Sequence, residues 1–351
     1  MSFQEKILSK SNSYQYYKEK NELLEKEIQI LKEEIEDLKT NTDITLKEQF
    51  LREYPISAGF CNWNYVHYYF REDFEDRLKD VTKHLDKDSR NTFKWLLLRT
   101  LAVNVIKMNS LYFNYEREAQ DKFINFRLEN SRPNEIAGYK YYGRYNLHPF
   151  IDPNLTDNDK EFLKDKDIID AGAFTGDTSI PIAKYTNKNI YAFEPFEESF
   201  EGLKKNIEAN NITNIIPVKK SLGNINGERT LYLSGDNVQG ITSNESAREY
   251  DEEIKVEEVT VDKFVEDNNL DVGYITIDVE GAERDLLEGA LNTIKTKRPI
   301  LTISIYHKVT DFFEIIPWIA DMDLDYEFKV IKEQPWPFLG DTVVQCRPKQ
   351  L

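Results

Sequence analysis

The sequence predicts an α/β protein: a mostly parallel sheet with helices on both faces, finished by an antiparallel C-terminal hairpin and preceded by a helical N-terminal region. Three observations predict it. From position 167 onward, short apolar runs alternate with amphipathic helical stretches, the pattern of strand–helix–strand crossover units. Two of those runs end in an acid and then a glycine before a helical stretch, at Asp170-Ala-Gly172 and Asp278-Val-Glu-Gly281. Two β-rich runs, 326–332 and 341–346, flank Pro335-Trp-Pro337 and Gly340 and read as an antiparallel pair.

The 351 residues suggest a main domain with accessory segments. Residues 1–45 read as a coiled-coil helix, 46–150 as a helical, aromatic-rich accessory region and 151–351 as the α/β domain. In the first segment Tyr14, Asn21, Ile28 and Ile35 fall at heptad position a, and Tyr17, Leu24, Leu31 and Leu38 at d. Ile at a with Leu at d favours two parallel strands, and Asn21 at an a position fixes register. Lys20–Glu25, Glu27–Lys32 and Glu34–Lys39 are then opposite charges at facing g and e positions. The competing reading is a long solvated helix packed on its own domain. In the accessory region a helix over 89–108 presents Phe93, Leu96, Leu97, Thr100, Leu101, Val103 and Val105 as core. An irregular, tyrosine-dense connection follows, with Tyr139, Tyr141, Tyr142 and Tyr145 suited either to covering a bound sugar or nucleotide or to packing between two domains.

In the α/β domain the strands are expected at 167–170, 189–194, 214–219, 273–278 and 299–306, and the helices near 178–186, 197–210, 260–268 and 282–296. The polar stretch 221–255 reads as a small hairpin and loop at the rim of the sheet. Ligands in such sheets bind beyond the carboxyl ends of the strands, where strand order switches.

Charge and composition exclude several classes of partner. A formal net charge of −17 argues against nucleic acid and anionic membrane surfaces, which are gripped through Lys and Arg. No run of about 18 apolar residues is present, so membrane insertion is not expected. The first thirty positions lack a signal-peptide core. The two cysteines, Cys61 and Cys346, have no metal-ligand spacing and suit a reducing cytoplasm.

The first acid-ended run is a ligand-cradling turn: Asp170, Gly172, Ala173, Phe174, Thr175, Gly176, Asp177 and Thr178. After the next strand come Glu194 and Pro195, at the spacing of a carboxylate that grips two ribose hydroxyls. Phe174 stands where a dinucleotide turn has its middle glycine, so the turn suits a ligand without phosphates, such as S-adenosylmethionine. Asp170 would take its ammonium, the amides from Ala173 to Asp177 would pass close to it, and Ser221 after the third strand would complete the pocket.

In the second turn Asp278 ends a strand and faces the cleft, while Glu280 and Glu283 share one side of the helix start. Asp278, Glu280 and Glu283 are candidates for a divalent cation, against the simpler reading that the two glutamates cap the helix. Of the four histidines, only His307 falls at a strand end on the ligand rim, where it suits removal of a hydroxyl proton. Lys308 beside it is either a partner for an acidic acceptor or a solvated lysine.

Together the nonapeptide from Asp170 to Thr178, Phe193-Glu194-Pro195, Ile277-Asp-Val-Glu-Gly-Ala-Glu283 and Ile303-Ser-Ile-Tyr-His-Lys308 resemble the FkbM-type methyltransferase family over residues 145–347. The resemblance implies a class I methyltransferase (Rossmann-like) fold, S-adenosylmethionine as donor and a hydroxyl of a sugar, glycan or related small molecule as acceptor. Relatives often carry an Arg-His-like pair before the final hairpin, whereas this chain has Ile331-Lys332-Glu333. The expected reaction is O-methylation with His307 as general base and Asp278 orienting it or the acceptor. The rivals are an NAD-dependent oxidoreductase, which lacks a recognisable Tyr-x-x-x-Lys pair here, and a dimeric scaffold with an inactive domain. The heptad predicts a parallel homodimer: the chain should sediment as a dimer and become monomeric without residues 1–45, and a monomer in both forms would refute it.

Overall fold

The computed structural model describes residues 65, 68–69, 71–104, 131–132, 134–142, 154–233, 252–332 and 340–349. The predicted coiled coil, and the positions 105–108 and 143–153, lie outside these residues.

A seven-stranded sheet dominates. Its strands are β4 (Asp167–Ala171), β5 (Ile190–Phe193), β6 (Ile215–Val218), β10 (Val272–Ile277), β11 (Ile300–Ser304), β12 (Tyr326–Lys332) and β13 (Thr342–Pro348). They lie in the order β12-β13-β11-β10-β4-β5-β6. β13 runs antiparallel to both of its neighbours, and the pairs from β11 to β6 are all parallel. Every residue of β4 and β10 is buried, which is why these strands read as largely apolar, broken by Asp167 and Asp170 in β4 and Thr276 in β10. Side chains alternate across the sheet: Ile169, Ala171, Ile275, Ile277, Leu301 and Ile303 enter one core, and Ile168, Tyr274 and Ile300 the other. The chain winds from β4 outward to β6 and then returns to β10 on the other side of β4. That reversal is the topological switch point, and both acid-ended turns sit there.

All five predicted parallel strands and the closing hairpin are present. The helices depart from expectation in instructive ways. Helix α3 (Asp157–Leu163) was not foreseen, although Thr156 and Asp159 form a capping box. Asp159 is fully buried and takes Arg347 of β13 at 2.6 Å, tying the helix to the sheet. Residues 178–186 give a single α turn, α4 (Ser179–Ile182), continued as 3-10 helix (Ala183–Tyr185), and α5 (Glu197–Ala209) and α6 (Val261–Asp267) form as predicted.

The helix expected over 282–296 is two: α7 (Glu283–Glu288) and α8 (Leu291–Lys297). They part at Gly289, where a Cβ would stand 2.0 Å from the Gly223 carbonyl oxygen. The Asp262 carboxylate then accepts from the amides of Asn292 (2.9 Å) and Thr293 (2.7 Å), capping the second helix. Helix α9 (Val309–Ala320) was missed because Pro317 and a dense run of Phe and Ile obscured its period. The hairpin expected within 221–255 is a separate three-stranded sheet of β7 (Ser221–Leu222), β8 (Gly227–Leu233) and β9 (Glu252–Val259), in the order β7-β9-β8.

The accessory region supplies α1 (Phe74–Lys83) and α2 (Lys87–Asn104), and a short ribbon of β1 (Ser131–Arg132), β2 (Glu135–Ile136) and β3 (Tyr139–Lys140) where an irregular connection was expected. Phe93, Leu96, Leu97 and Thr100 are buried as predicted. Phe93 stacks on Phe312 of α9 with centroids 4.3 Å apart, and Tyr68 on Phe313 at 4.4 Å. Truncating such a ring removes its transfer free energy and leaves a cavity. Phe313→Ala is expected to cost about 3–5 kcal/mol in urea unfolding, and a loss below 1 kcal/mol would place Phe313 outside the core.

Candidate active site

The turn after β4 and the turn after β10 meet backbone to backbone. Gly172 has φ +84°, and a Cβ there would lie 1.9 Å from the Asp278 carbonyl oxygen. Only glycine combines that dihedral with that approach. The Asp278 amide donates to the Ala171 carbonyl at 2.9 Å, so the ladder continues past the end of β10 into the site.

On the first side, Gly172 and Ala173 donate to the Phe193 carbonyl at 3.0 and 2.9 Å, and Gly176 to Ala173 at 2.7 Å. Glu194 accepts from the Phe174 amide at 3.0 Å and from the Phe196 amide at 2.8 Å, clasping the two turns together. Of the amides from Ala173 to Asp177, expected to pass close to a ligand, those of Ala173, Phe174 and Gly176 donate within the protein. Phe174 sits at φ +46°, an uncommon conformation for a bulky side chain. Asp170 is buried and accepts from the Ser179 hydroxyl. Burial pushes Asp170 up to about 7 against the Ser179 hydrogen bond, with the Asp177 charge adding to the rise. Burial likewise pushes Glu194 up to about 8, against its two amide bonds. Thr178 precedes α4 without a side-chain cap, and half-buried Pro195 separates Glu194 from Phe196. Ser221 belongs to the small sheet: its hydroxyl lies 3.4 Å from the Glu257 carbonyl and 3.4 Å from the Glu258 carboxylate.

On the second side, His307 follows β11 and its side chain is 5% exposed. Its Nδ1 lies 2.7 Å from Glu283 Oε1, and its Nε2 is 3.4 Å from Glu280 and 3.5 Å from Asp278. Glu280 and Glu283 do not share a helix face. Glu280 is left-handed (φ +52°) ahead of α7, while Glu283 is fully buried and also accepts from the amides of Val279 (3.2 Å) and Gly281 (3.3 Å). Burial opposes a charge on His307, but Glu283 and then Glu280 outweigh it and raise the imidazole to about 10. The surrounding carboxylates thus favour the protonated ring in the ligand-free chain.

The ligand atoms that converge within 4.8 Å are those of Asp278, Glu283 and His307, rather than the expected Asp278, Glu280 and Glu283. Glu283 is already engaged by His307 and two amides, so the ring can supply the positive charge that a metal would otherwise bring to these carboxylates. Lys308 donates to the Gly281 carbonyl.

Four residues of this site escaped the sequence reading. Tyr306 lies with its hydroxyl 3.4 and 3.5 Å from the Asp278 oxygens and its ring 4.0 Å from that of His307. Burial, then the Glu283 charge, raises Asp311 to about 8; an acid ahead of the apolar run of α9 was its only signal. Ser179 and Asn206 are the others. Asn206 donates to the Thr175 carbonyl at 2.9 Å and accepts from the Tyr142 amide at 2.7 Å, so it fastens the tyrosine ribbon to the first turn. Tyr141 in that ribbon is buried, whereas Tyr142 is 46% exposed. Of the altered 331–333 segment, Ile331 and Lys332 end the edge strand β12, and Glu333 lies outside the described residues.

The pKa shifts fix the sign of a pH effect. Folded Asp170, Glu194 and His307 retain protons up to about 7, 8 and 10, which the unfolded chain has released near 3.8, 4.5 and 6.5. Folding stability therefore falls as pH rises through those windows. Urea stability of the ligand-free protein should decline from pH 6 to 9 by about 1 kcal/mol or more per unit; a rise across that range would contradict these environments.

Residues 170–334 match the family model described as the methyltransferase FkbM domain. No curated protein matches the chain in sequence. Among solved structures, methyltransferase FkbM from Methylobacillus flagellatus KT is similar with a TM-score of 0.51 and 17% identity, covering 81% of this chain. This chain spans 62% of the length of that protein. A precorrin-6y C5,15-methyltransferase from Geobacter metallireducens GS-15 gives a TM-score of 0.34 at 11% identity over 54% of this chain and 84% of its own. An rRNA methylase from Streptococcus thermophilus gives 0.33 at 13% identity over 55% and 92%. The sheet, with its antiparallel β13 set between β11 and β12, is that of a class I methyltransferase. Residues 170–334 form a methyltransferase FkbM domain.

Proposed function

We propose that the protein is an S-adenosylmethionine-dependent O-methyltransferase acting on a hydroxyl of a sugar, glycan or related small molecule. The observation that carries this reading is the pairing, inside a matched FkbM domain, of two acid-ended turns joined through Gly172 and Asp278. The donor set fits the cofactor: a buried Asp170 for an ammonium, Glu194 for a ribose diol, and a cleft edge rich in carboxylates for a sulfonium. When bound, the cofactor supplies an electrophilic methyl group. The chain's part is to orient the acceptor, exclude water and receive one proton.

His307 is the proton acceptor in this reading, under one condition. Its extra proton is held by Asp278, Glu280 and Glu283, so His307 releases it more readily when Asp278 and Glu280 face a second cation. Glu283 keeps the remaining proton on Nδ1 and leaves Nε2 for the acceptor. Asp278, with Tyr306 against its carboxylate, orients the hydroxyl.

Calorimetric titration tests the assignment without knowing the acceptor. S-adenosylhomocysteine should bind and NAD should not. Glu194→Gln should weaken that binding about tenfold, the worth of one charge-assisted hydrogen bond, and His307→Gln should leave it within about twofold, since its role is in turnover. Binding of NAD alone would indicate redox chemistry, and binding of neither a scaffold.

A further inference from the structure

Tyr65 and Tyr306 stand 241 positions apart, yet the Tyr65 hydroxyl donates to the Tyr306 carbonyl at 3.1 Å. Both residues are buried. The Tyr306 peptide lies beyond β11, whose last residue is Ser304, so its carbonyl falls outside the ladder of the sheet. A side chain from the accessory region supplies the donor that a neighbouring strand would supply further back.

That peptide is a sensitive one. The Tyr306 side chain reaches the Asp278 carboxylate, its ring lies 4.0 Å from His307 at 42°, and the next residue is His307 itself. The helix following the loop, α9, is gripped by the same upstream segment. Phe312 meets the Tyr65 ring edge-on at 6.1 Å, Phe313 stacks on Tyr68, and Glu314 pairs with Arg77 at 2.9 Å. The loop carrying His307 is thus fixed by the accessory region at its start and along the helix that ends it.

We propose that Tyr65 is a positioning residue for the rim: its hydroxyl sets the Tyr306 peptide and thereby holds the Tyr306 and His307 rings against Asp278 and Glu283. The helical region upstream of the α/β domain is then part of the site's machinery, whichever reaction the site performs.

The Nδ1 proton of His307 reports on this directly, because it lies in a buried 2.7 Å contact with Glu283. In the full chain labelled with 15N-histidine it should give a slowly exchanging downfield resonance, identified by its loss in His307→Gln. Tyr65→Phe should speed its exchange about two- to tenfold, the factor that corresponds to one net hydrogen bond. Ser89→Ala is the control for general loosening: it removes the hydroxyl that accepts from the Val330 amide at 3.0 Å, away from the rim. It should lower the thermal midpoint and leave the resonance unchanged. Wild-type exchange in Tyr65→Phe, or an equal change in Ser89→Ala, would overturn the proposal. If Tyr65→Phe does not fold, Phe312→Leu removes the ring against which Tyr65 packs and must speed the same exchange for the proposal to stand.

Discussion

The contact between Gly172 and the Asp278 carbonyl is the constraint on which the rest of the site depends. Strands β4 and β10 are neighbours at the switch point and end at the same level, so their turns compete for the same space. With no Cβ at position 172, the turns interleave, and the Asp278 amide can reach the Ala171 carbonyl. The Asp170–Glu194 side and the Asp278–His307 side are thereby set a single peptide apart. Any side chain at 172 would push Asp278 away from β4, and with Asp278 would go the carboxylate that faces Tyr306 and His307.

Around this joint the protein buries charges in an unequal arrangement. Around His307 three carboxylates, Asp278, Glu280 and Glu283, surround one imidazole, with Asp311 behind Glu283 raised to about 8. Beside the first turn Asp170 and Glu194 are raised by burial, and no lysine or arginine figures among the causes that act on either. Burying a carboxylate without a cation is unfavourable unless it is hydrogen-bonded or holds a proton. Both sides are thus short of positive charge in the ligand-free chain. Strongly raised acids can mark functional sites, and here burial holds Asp170 and Glu194 well above the ordinary carboxylate range.

The parallel strands were legible because central strands buried on both faces leave continuous apolar runs, and the acids at their ends stood out against them. The helices were less so. In 282–296 only Gly289 hints at a break, and the contact that enforces it, the Gly223 backbone against Gly289, comes from a distant part of the chain. Periodicity misplaced Glu283 for a similar reason. It assumes that helix begins where polar residues do, whereas left-handed Glu280 delays α7 and turns Glu283 inward. Asp170, Glu194, Asp278 and His307 were all found from strand ends. Their protonation states were not, since burial and partner distances set those.

The remaining illegible part is the most distant in sequence. Each face of the sheet receives a piece of the upstream chain, and each piece ends on one half of the site. Tyr65 crosses one core to the Tyr306 carbonyl beside His307, while Tyr142, just past the β1–β3 ribbon, reaches through Asn206 to the Thr175 carbonyl of the first turn. Both contacts address backbone carbonyls of the rim, where the sheet no longer supplies partners. A parallel sheet fixes its strands but leaves the turns at their carboxyl ends to be held by something else. In this chain that support comes from residues before the α/β domain, so the domain that carries the chemistry depends on its upstream segment for the placement of both halves of its site.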